Sequence, residues 1–524
     1  MIERVDDEDF MQPGLFTNII ILLMLGGCAA LPPLDARVAS IALADTAGTR
    51  IGRAVAPLAA AHPGLTGVHV LSDGRDAFAA RMLMAGAAER SLDVQYYIWR
   101  NDITGTLLLS ALRAAAARGV RVRLLLDDNN SAGLDPALAV LDADPNIEVR
   151  LFNPFAQRSA RMLGFLTDFS RLNRRMHNKS FTVDGQATIV GGRNIGDEYF
   201  GAHGDVMFAD LDILAVGSAV GAVARDFDRY WNSRSAYPAG ALLWQPGPDA
   251  ARSFSAQVAR TTAAPQAQAY MASVRASTFA TQLTGKTLQL EWAPVRLISD
   301  DPAKVLAAAP PGSNVAHQLP GMLGAPVRQV DLVSPYFVPG PVCTPRLGQL
   351  ARAGVQVRVL TNSLEATDVA AVHAGYGKWR RDLLAGGVRL YELKRTWPRE
   401  LEPKRSGSGM GGSSAASLHA KTMAVDQERV FVGSFNFDPR SVELNTEMGF
   451  VIESRTLATL VGTVLDARLP ARAYEVRLSP EGKLYWLERA PGGPTVRHDT
   501  EPGTGYWRRA VVDFMSLLPI DSML

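Results

Sequence analysis

Apolar positions follow a repeating rhythm of helix and strand from residue 76 onward. Helical spacing predicts an alanine-rich helix over 76–90 and another over 104–118, with a strand over 92–99 between them. Gly119 stands where a helix end favours a left-handed residue, and the continuous apolar run 120–126 after it reads as a buried strand. Strand, helix and strand in this order predict a βαβ unit, hence a parallel pair with a right-handed crossover. The plan returns downstream as strand 329–334, helix 345–353, Gly354 and strand 355–360. Even the local text agrees, with ARGVRVRL at 117–124 against RAGVQVRV at 352–359. A further helix and strand close each copy, near 147–152 and 388–391.

The rhythm lapses in four places. Residues 31–67 are rich in Ala, Pro and Gly and suit a lead-in tether, while 235–288 are rich in Ala, Gln and Pro and suit an inter-lobe connection. The stretch SGSGMGGSSAAS at 406–417 has too little apolar content to pack and is expected to be a mobile loop. Near the N-terminus, the apolar run 15–25 leads into Leu25-Gly26-Gly27-Cys28, which resembles a bacterial lipobox, so Cys28 is the expected lipidation site. The acidic cluster Asp6, Asp7, Glu8 and Asp9 precedes that run, where a secretory signal is positive, and makes Met11 a candidate start. Later runs fall short of the roughly 18 to 20 apolar residues that span a bilayer, so the catalytic body is expected to be soluble. The expected divisions are an anchor (1–30), the tether (31–67), a first lobe (68–234), the connection (235–288), a second lobe (289–470) and a C-terminal extension (471–524).

Charge and cysteine content narrow the choices. With 54 basic and 52 acidic residues the chain lacks the broad positive field of a nucleic-acid binder. Its two cysteines, Cys28 and Cys343, are too few for a disulfide framework or a thiolate zinc site.

The polar residues carry the strongest signal. His177, Lys179 and Asp184 form the frame H-x-K-x4-D, and His419, Lys421 and Asp426 repeat it. Gly191, Gly192 and Asn194 stand seven, eight and ten residues beyond the first Asp; Gly433, Ser434 and Asn436 stand at the same offsets beyond the second. One such frame is a weak pattern, but two with matching tails are a strong one. The sequence resembles the phospholipase D superfamily, and within it bacterial cardiolipin synthases, over roughly residues 68–469. That resemblance implies an α/β fold of two sandwich lobes, related by pseudo-two-fold symmetry, whose motifs meet in one shared active site.

The residue types suit phosphodiester chemistry. Displacement at phosphorus builds charge on the equatorial oxygens, and fixed cations and donors must meet it. Lys179 and Lys421 are the expected cations, and Asn194, Asn436, Ser434 and Gly192 the expected substrate-binding groups. No metal or other cofactor is implied, because positive charge already fills the place a cation would take. Two histidines fit a double displacement, and the resemblance assigns His177 as nucleophile and His419 as general acid and base. An imidazole nucleophile needs an acceptor on its second nitrogen; Glu447 matches the family position for it, with Asp210 the nearest first-half counterpart and Asp212 on the same strand face. In a strand His177 and Lys179 share a face, whereas Asp184 begins a tight Asp-Gly hairpin between 180–183 and 187–190. Asp184 and Asp426 are therefore expected to hold the site's shape.

The leading expectation is a phosphatidyltransferase that makes cardiolipin from phosphatidylglycerol with a second phospholipid, such as phosphatidylethanolamine, or another glycerol-bearing acceptor. The alternatives are a phospholipase D that uses water, a nucleic-acid phosphodiesterase and a silent lipid-binding scaffold. Two segments suit a bilayer interface: 155–166, with Arg158, Arg161, Met162, Leu163 and Phe165, and 506–524, where Trp507, Arg508 and Arg509 lead an apolar tail. Such segments are more often helices packed on their own domain, and an uncleaved anchor or a buried helix is the alternative for the N-terminal run. The expected location is a membrane surface, lipid-anchored through Cys28 on the periplasmic side of a bacterial envelope.

Overall fold

The computed structural model describes residues 30–518 except 36, 132, 159, 203–205, 396–414 and 490–492. Cys28 and most of the 406–417 loop lie outside the described residues. The chain forms two mixed sheets, of nine and ten strands, plus a two-stranded ribbon. Both large sheets contain the same six-strand series. In the first it runs Asp212–Gly217, Ala187–Gly191, Ser180–Val183, Ser91–Ile98, Arg121–Asn130, Ile147–Phe152; in the second, Met448–Glu453, Arg429–Gly433, Thr422–Val425, Gln329–Val333, Gln356–Asn362, Arg389–Leu393.

The two βαβ units are present, with parallel pairing of Ser91–Ile98 to Arg121–Asn130 and of Gln329–Val333 to Gln356–Asn362. Gly119 and Gly354 take left-handed φ values of +90° and +94°, as the predicted helix stops require. Helices Gly74–Ala87 and Ile103–Ala116 cover one face of the first sheet, packing Phe78, Leu108 and Leu112 over Leu92, Val94 and Val122. The other face meets the second lobe. Val190, Ile213 and Ala215 share one core with Val430, Val432, Phe450 and Ile452, so the lobes are joined through their sheets. Buried ion pairs echo each other too: Arg123 Nε lies 2.7 Å from Asp93, and Arg358 Nε 2.6 Å from Asp331.

Three divisions differ from the sequence reading. Residues 31–67 are not a bare tether. Arg50–Ala61 is a helix capped by Thr49, and Arg37 binds the carbonyls of Asn232 and Ala236 on the first lobe. The expected connection holds three helices, Pro248–Ala263, Pro265–Arg275 and Thr278–Thr284, and Phe254, Tyr270 and Phe279 of these join the first lobe's core. Pro248 and Pro265 open two of the helices at positions where no amide donor is needed, so prolines read as linker residues are helix starts. The chain instead passes between sheets at Pro294, from Glu291–Ala293 in the first to Val295–Ser299 in the second. The C-terminal extension continues the second sheet with Ala473–Leu478, Leu484–Arg489 and Thr495–His498. Within the loop expected over 406–417, Ala415–Leu418 is a strand paired in parallel with Val206–Ala209 of the other lobe.

Candidate active site

Each motif begins just ahead of a strand. Ser180–Val183 and Thr422–Val425 start after Lys179 and Lys421, so the His-Lys pairs occupy extended lead-ins rather than the strands themselves. Those lead-ins are tied across the lobes by matching main-chain bonds. His177 N–H donates to Thr446 O at 2.9 Å, and His419 N–H donates to Ala209 O at 2.9 Å. Bridges Met176–Thr446 and Leu418–Ala209 accompany them. In both cases the acceptor directly precedes an acidic residue, Glu447 or Asp210.

The imidazoles are therefore held by carboxylates of the opposite lobe. His177 Nδ1 lies 2.8 Å from Glu447 Oε2, and His419 Nδ1 lies 2.5 Å from Asp210 Oδ2. The carboxylates accept the Nδ1 proton, which leaves Nε2 of each neutral ring with its lone pair. Ring contacts steady the imidazoles further: Tyr97 meets His177 edge-on at 4.9 Å and Tyr199 meets His419 at 5.1 Å.

Lys179 Nζ donates to the carbonyl of His177 at 2.7 Å, and Lys421 Nζ donates to that of His419. All of these side chains are buried, and burial governs their protonation. It drives His177 well below its ordinary value, with the Lys179 and Lys421 charges acting the same way. His419 falls to about 4, again through burial and then Lys421, against the pull of Asp210. Burial lowers Lys421 to about 8 in spite of Asp210 and Glu447, and it lowers Lys179 strongly, with Lys421 adding to the effect. The carboxylates diverge. Burial raises Glu447 to about 7 against Lys179, whereas at Asp210 the opposing pull of His419 and Lys421 outweighs burial and keeps the group ionised.

The remaining expected site residues surround the imidazoles and ammoniums. Gly192 leaves room for a carboxylate: a Cβ there would lie 2.1 Å from Asp210 Oδ1. At the matching position Ser434 donates its hydroxyl to Glu447. A short carboxylate beside glycine and a long one beside serine are thus two solutions to one geometry. Asn194 accepts from Ile98 N–H at 3.1 Å and donates to the Tyr199 hydroxyl at 3.0 Å, so its amide positions backbone and ring. Its counterpart Asn436 keeps a buried amide oxygen without a protein partner and remains available to a ligand. Asp212 binds Arg81 and Arg193 in the core rather than a histidine.

Asp184 and Asp426 are clamps. Asp184 accepts the amides of Glu89, Arg90 and Ser91, and Asp426 accepts those of Val327, Arg328 and Gln329. Each fastens its hairpin turn to the start of the neighbouring strand. Sequence reasoning missed Ser441, which donates to Glu447 Oε1 at 2.8 Å, and Asp300, which accepts the Glu447 amide at 2.9 Å. Neither lies in a repeated frame, so no periodic signal marked them.

The comparisons with known proteins agree with this geometry. A family model described as cardiolipin synthase, PLD-like domain, matches residues 83–231 and 321–468. Cardiolipin synthase C of Escherichia coli K12 is 50% identical over 475 residues, covering 91% of this chain and 100% of that protein. The major cardiolipin synthase ClsA of Bacillus subtilis 168 is 26% identical over 78% of this chain and 70% of its own length. Among solved structures, phosphatidylserine synthase of Haemophilus influenzae Rd KW20 has a TM-score of 0.51 at 13% identity, covering 81% of this chain and 91% of that one, a likeness of fold. Two repeated lobes that place paired imidazoles and ammoniums in one buried site, and a family match to both lobes, identify the chain as a member of the phospholipase D-like cardiolipin synthase family, the phosphatidyltransferases.

Proposed function

We propose that the protein joins two bilayer phospholipids into cardiolipin, taking the phosphatidyl group from phosphatidylglycerol or phosphatidylethanolamine and passing it to a glycerol hydroxyl of a second phosphatidylglycerol. His177 Nε2 attacks phosphorus, the bond to the headgroup oxygen breaks, and that oxygen takes a proton from His419 Nε2. His419 then removes the proton of the incoming hydroxyl, which attacks phosphorus and displaces His177. Both lysines balance charge on the equatorial oxygens. The resting imidazoles are neutral, and the arriving phosphodiester anion offsets the lysine charges, so His419 can carry its proton when substrate is bound.

The reciprocal pairing of each histidine with the other lobe's carboxylate carries this reading. An unlike pair of carboxylates supports the division of roles: ionised Asp210 stabilises an imidazolium at His419, and Glu447, raised to about 7, does so less for His177. The acceptor is tested by giving the full-length protein phosphatidylglycerol vesicles, with and without phosphatidylethanolamine, and separating cardiolipin from phosphatidic acid. Cardiolipin is expected; phosphatidic acid alone would leave a phospholipase D and sink the transfer reading. For localisation, the Leu25–Cys28 motif supports a lipid anchor on the periplasmic side. Cys28→Ser is expected to abolish incorporation of labelled palmitate, and labelling that persisted would exclude that thiol as the anchor.

A further inference from the structure

Two helical ridges beside the site carry apolar side chains on the face turned away from the protein. On Arg161–Thr167 and Phe169–Leu172, Met162 is 76% and Leu166 82% exposed, and Leu163 and Phe169 are exposed beside them. The underside is occupied: Leu172 is buried and Phe165 packs on Phe155 at 5.6 Å. The C-terminal helix Tyr506–Ser516 has the same division. Val512 packs against Leu364 and Ala374, with Met515 alongside, while Trp507 is 80% and Leu517 81% exposed. At 100° per residue, Tyr506, Trp507, Val511, Phe514, Leu517 and Leu518 fall within an arc of about 140° opposite Val512. Each helix therefore has one apolar face spent on its own lobe and a second left outside. Contiguous exposed apolar side chains of this kind mark an interaction surface.

The place of the ridges says what covers them. A groove of about 450 Å³ lies at the lobe junction, and apolar groups dominate its lining. Arg174 on one wall follows the first ridge by two residues and precedes His177 by three. Trp379 on another follows helix Ala370–Gly377, against which the C-terminal helix packs. Pro439 and Leu444, which also line it, stand three residues along the chain from Asn436 and from Glu447. An apolar groove three residues along the chain from both His177 and Glu447 thus lies beside both ridges, the second tied to it by Lys378, which donates to Leu518 O at 3.3 Å, and Arg174 and Arg508 stand at the margins. Aromatic and aliphatic side chains with arginines beside them match the acyl and anionic headgroup zones of a bilayer.

We propose that these two ridges are the surface on which the catalytic body seats itself in an anionic phospholipid bilayer, so that the lobe-junction groove receives an acyl chain while the headgroup reaches the histidines. The proposal rests on the phospholipid reading above, but the seating itself requires no turnover.

The test uses the full-length protein carrying Cys28→Ser and Cys343→Ser, with a polarity-sensitive fluorophore on Leu166→Cys, on Phe514→Cys or, as a control, on Arg252→Cys of helix Pro248–Ala263. Vesicles of phosphatidylglycerol and phosphatidylethanolamine are added. Blue-shifted emission at both ridges and none at the control is the expected result. Protein that pellets with vesicles with no shift at the ridges is held by another segment, and protein that does not pellet has no docking surface; either result overturns the proposal, as does an equal shift at all three positions. A second measurement compares Leu166→Ser/Phe514→Ser with wild type on vesicle lipid and on short-chain phosphatidylglycerol below its critical micelle concentration. At least a tenfold loss on vesicles with the monomeric rate unchanged is expected; unchanged rates on both overturn it. A protein that bound vesicles in this way yet yielded only phosphatidic acid would refute the transfer reading and leave the docking surface standing.

Discussion

At the scale of single residues, the site is a compromise between charge and burial. Lys179 and Lys421 are placed where solvent cannot stabilise them, and Glu447 is raised to about 7 by the same burial. Two consequences follow for the free enzyme's kcat/KM. It falls as pH rises through about 8, where Lys421 loses its proton, and falls as pH drops below about 7, where Glu447 gains one and its hold on the His177 Nδ1–H weakens. Glu447→Gln is expected to remove the acid limb, which a pH–rate profile will show. Gly192→Ala tests the space behind His419. Its Cβ would stand 2.1 Å from Asp210 Oδ1, so the carboxylate must leave the imidazole. A loss of about 100-fold or more in kcat is expected, together with a lower melting temperature because the displaced carboxylate stays buried without its partner.

At the scale of elements, the hairpins at Asp184 and Asp426 link stability to the site. Both turns place two consecutive residues in the left-handed region: Asp184 and Gly185 at φ +52° and +59°, Asp426 and Gln427 at +54° and +57°. The mirror-image turn suits two tightly twisted strands, and glycine meets its demand at 185 without strain. Gln427 does not, so Gln427→Gly is expected to raise unfolding free energy by about 1 kcal/mol in a denaturant titration. Asp184→Ala acts in the opposite sense. It strands the amides of Glu89, Arg90 and Ser91 and should cost about 3 kcal/mol, measured the same way. The hairpin was readable from Asp184-Gly185 alone, because the turn is local chemistry. The clamp was not, because its three partners lie more than ninety residues upstream.

At the scale of the whole molecule, neither lobe holds a complete site. His177 lacks its carboxylate until Glu447 arrives, and His419 lacks Asp210. The shared core of Val190, Ile213, Val432 and Phe450 fixes that exchange with apolar contacts that neither sheet can bury alone. Splitting the chain at Pro294 should therefore yield two inactive halves whose co-expression restores activity. Activity in either half by itself would show that the crossed pairs are dispensable. Among the described residues no helix is long and apolar enough to cross a membrane.

Much of this was legible in the chain. The duplicated frame, the βαβ rhythm, the helix stops at Gly119 and Gly354 and the hairpin signal are short-range patterns, each set by spacing of a few residues. Elements built on helix-starting prolines, such as Pro248 and Pro265, were obscured because composition there resembles a linker. What only tertiary structure decided is which lobe's carboxylate serves which histidine, why Gly192 and Ser434 differ, and where the apolar ridges face. Those depend on contacts between residues hundreds of positions apart, which no local period encodes. The sequence alone determined the repeated His, Lys and Asp frame and the units that carry it, since repeated spacing marks both; the fold decided their partners, since a buried charge is governed by whatever lies beside it in space.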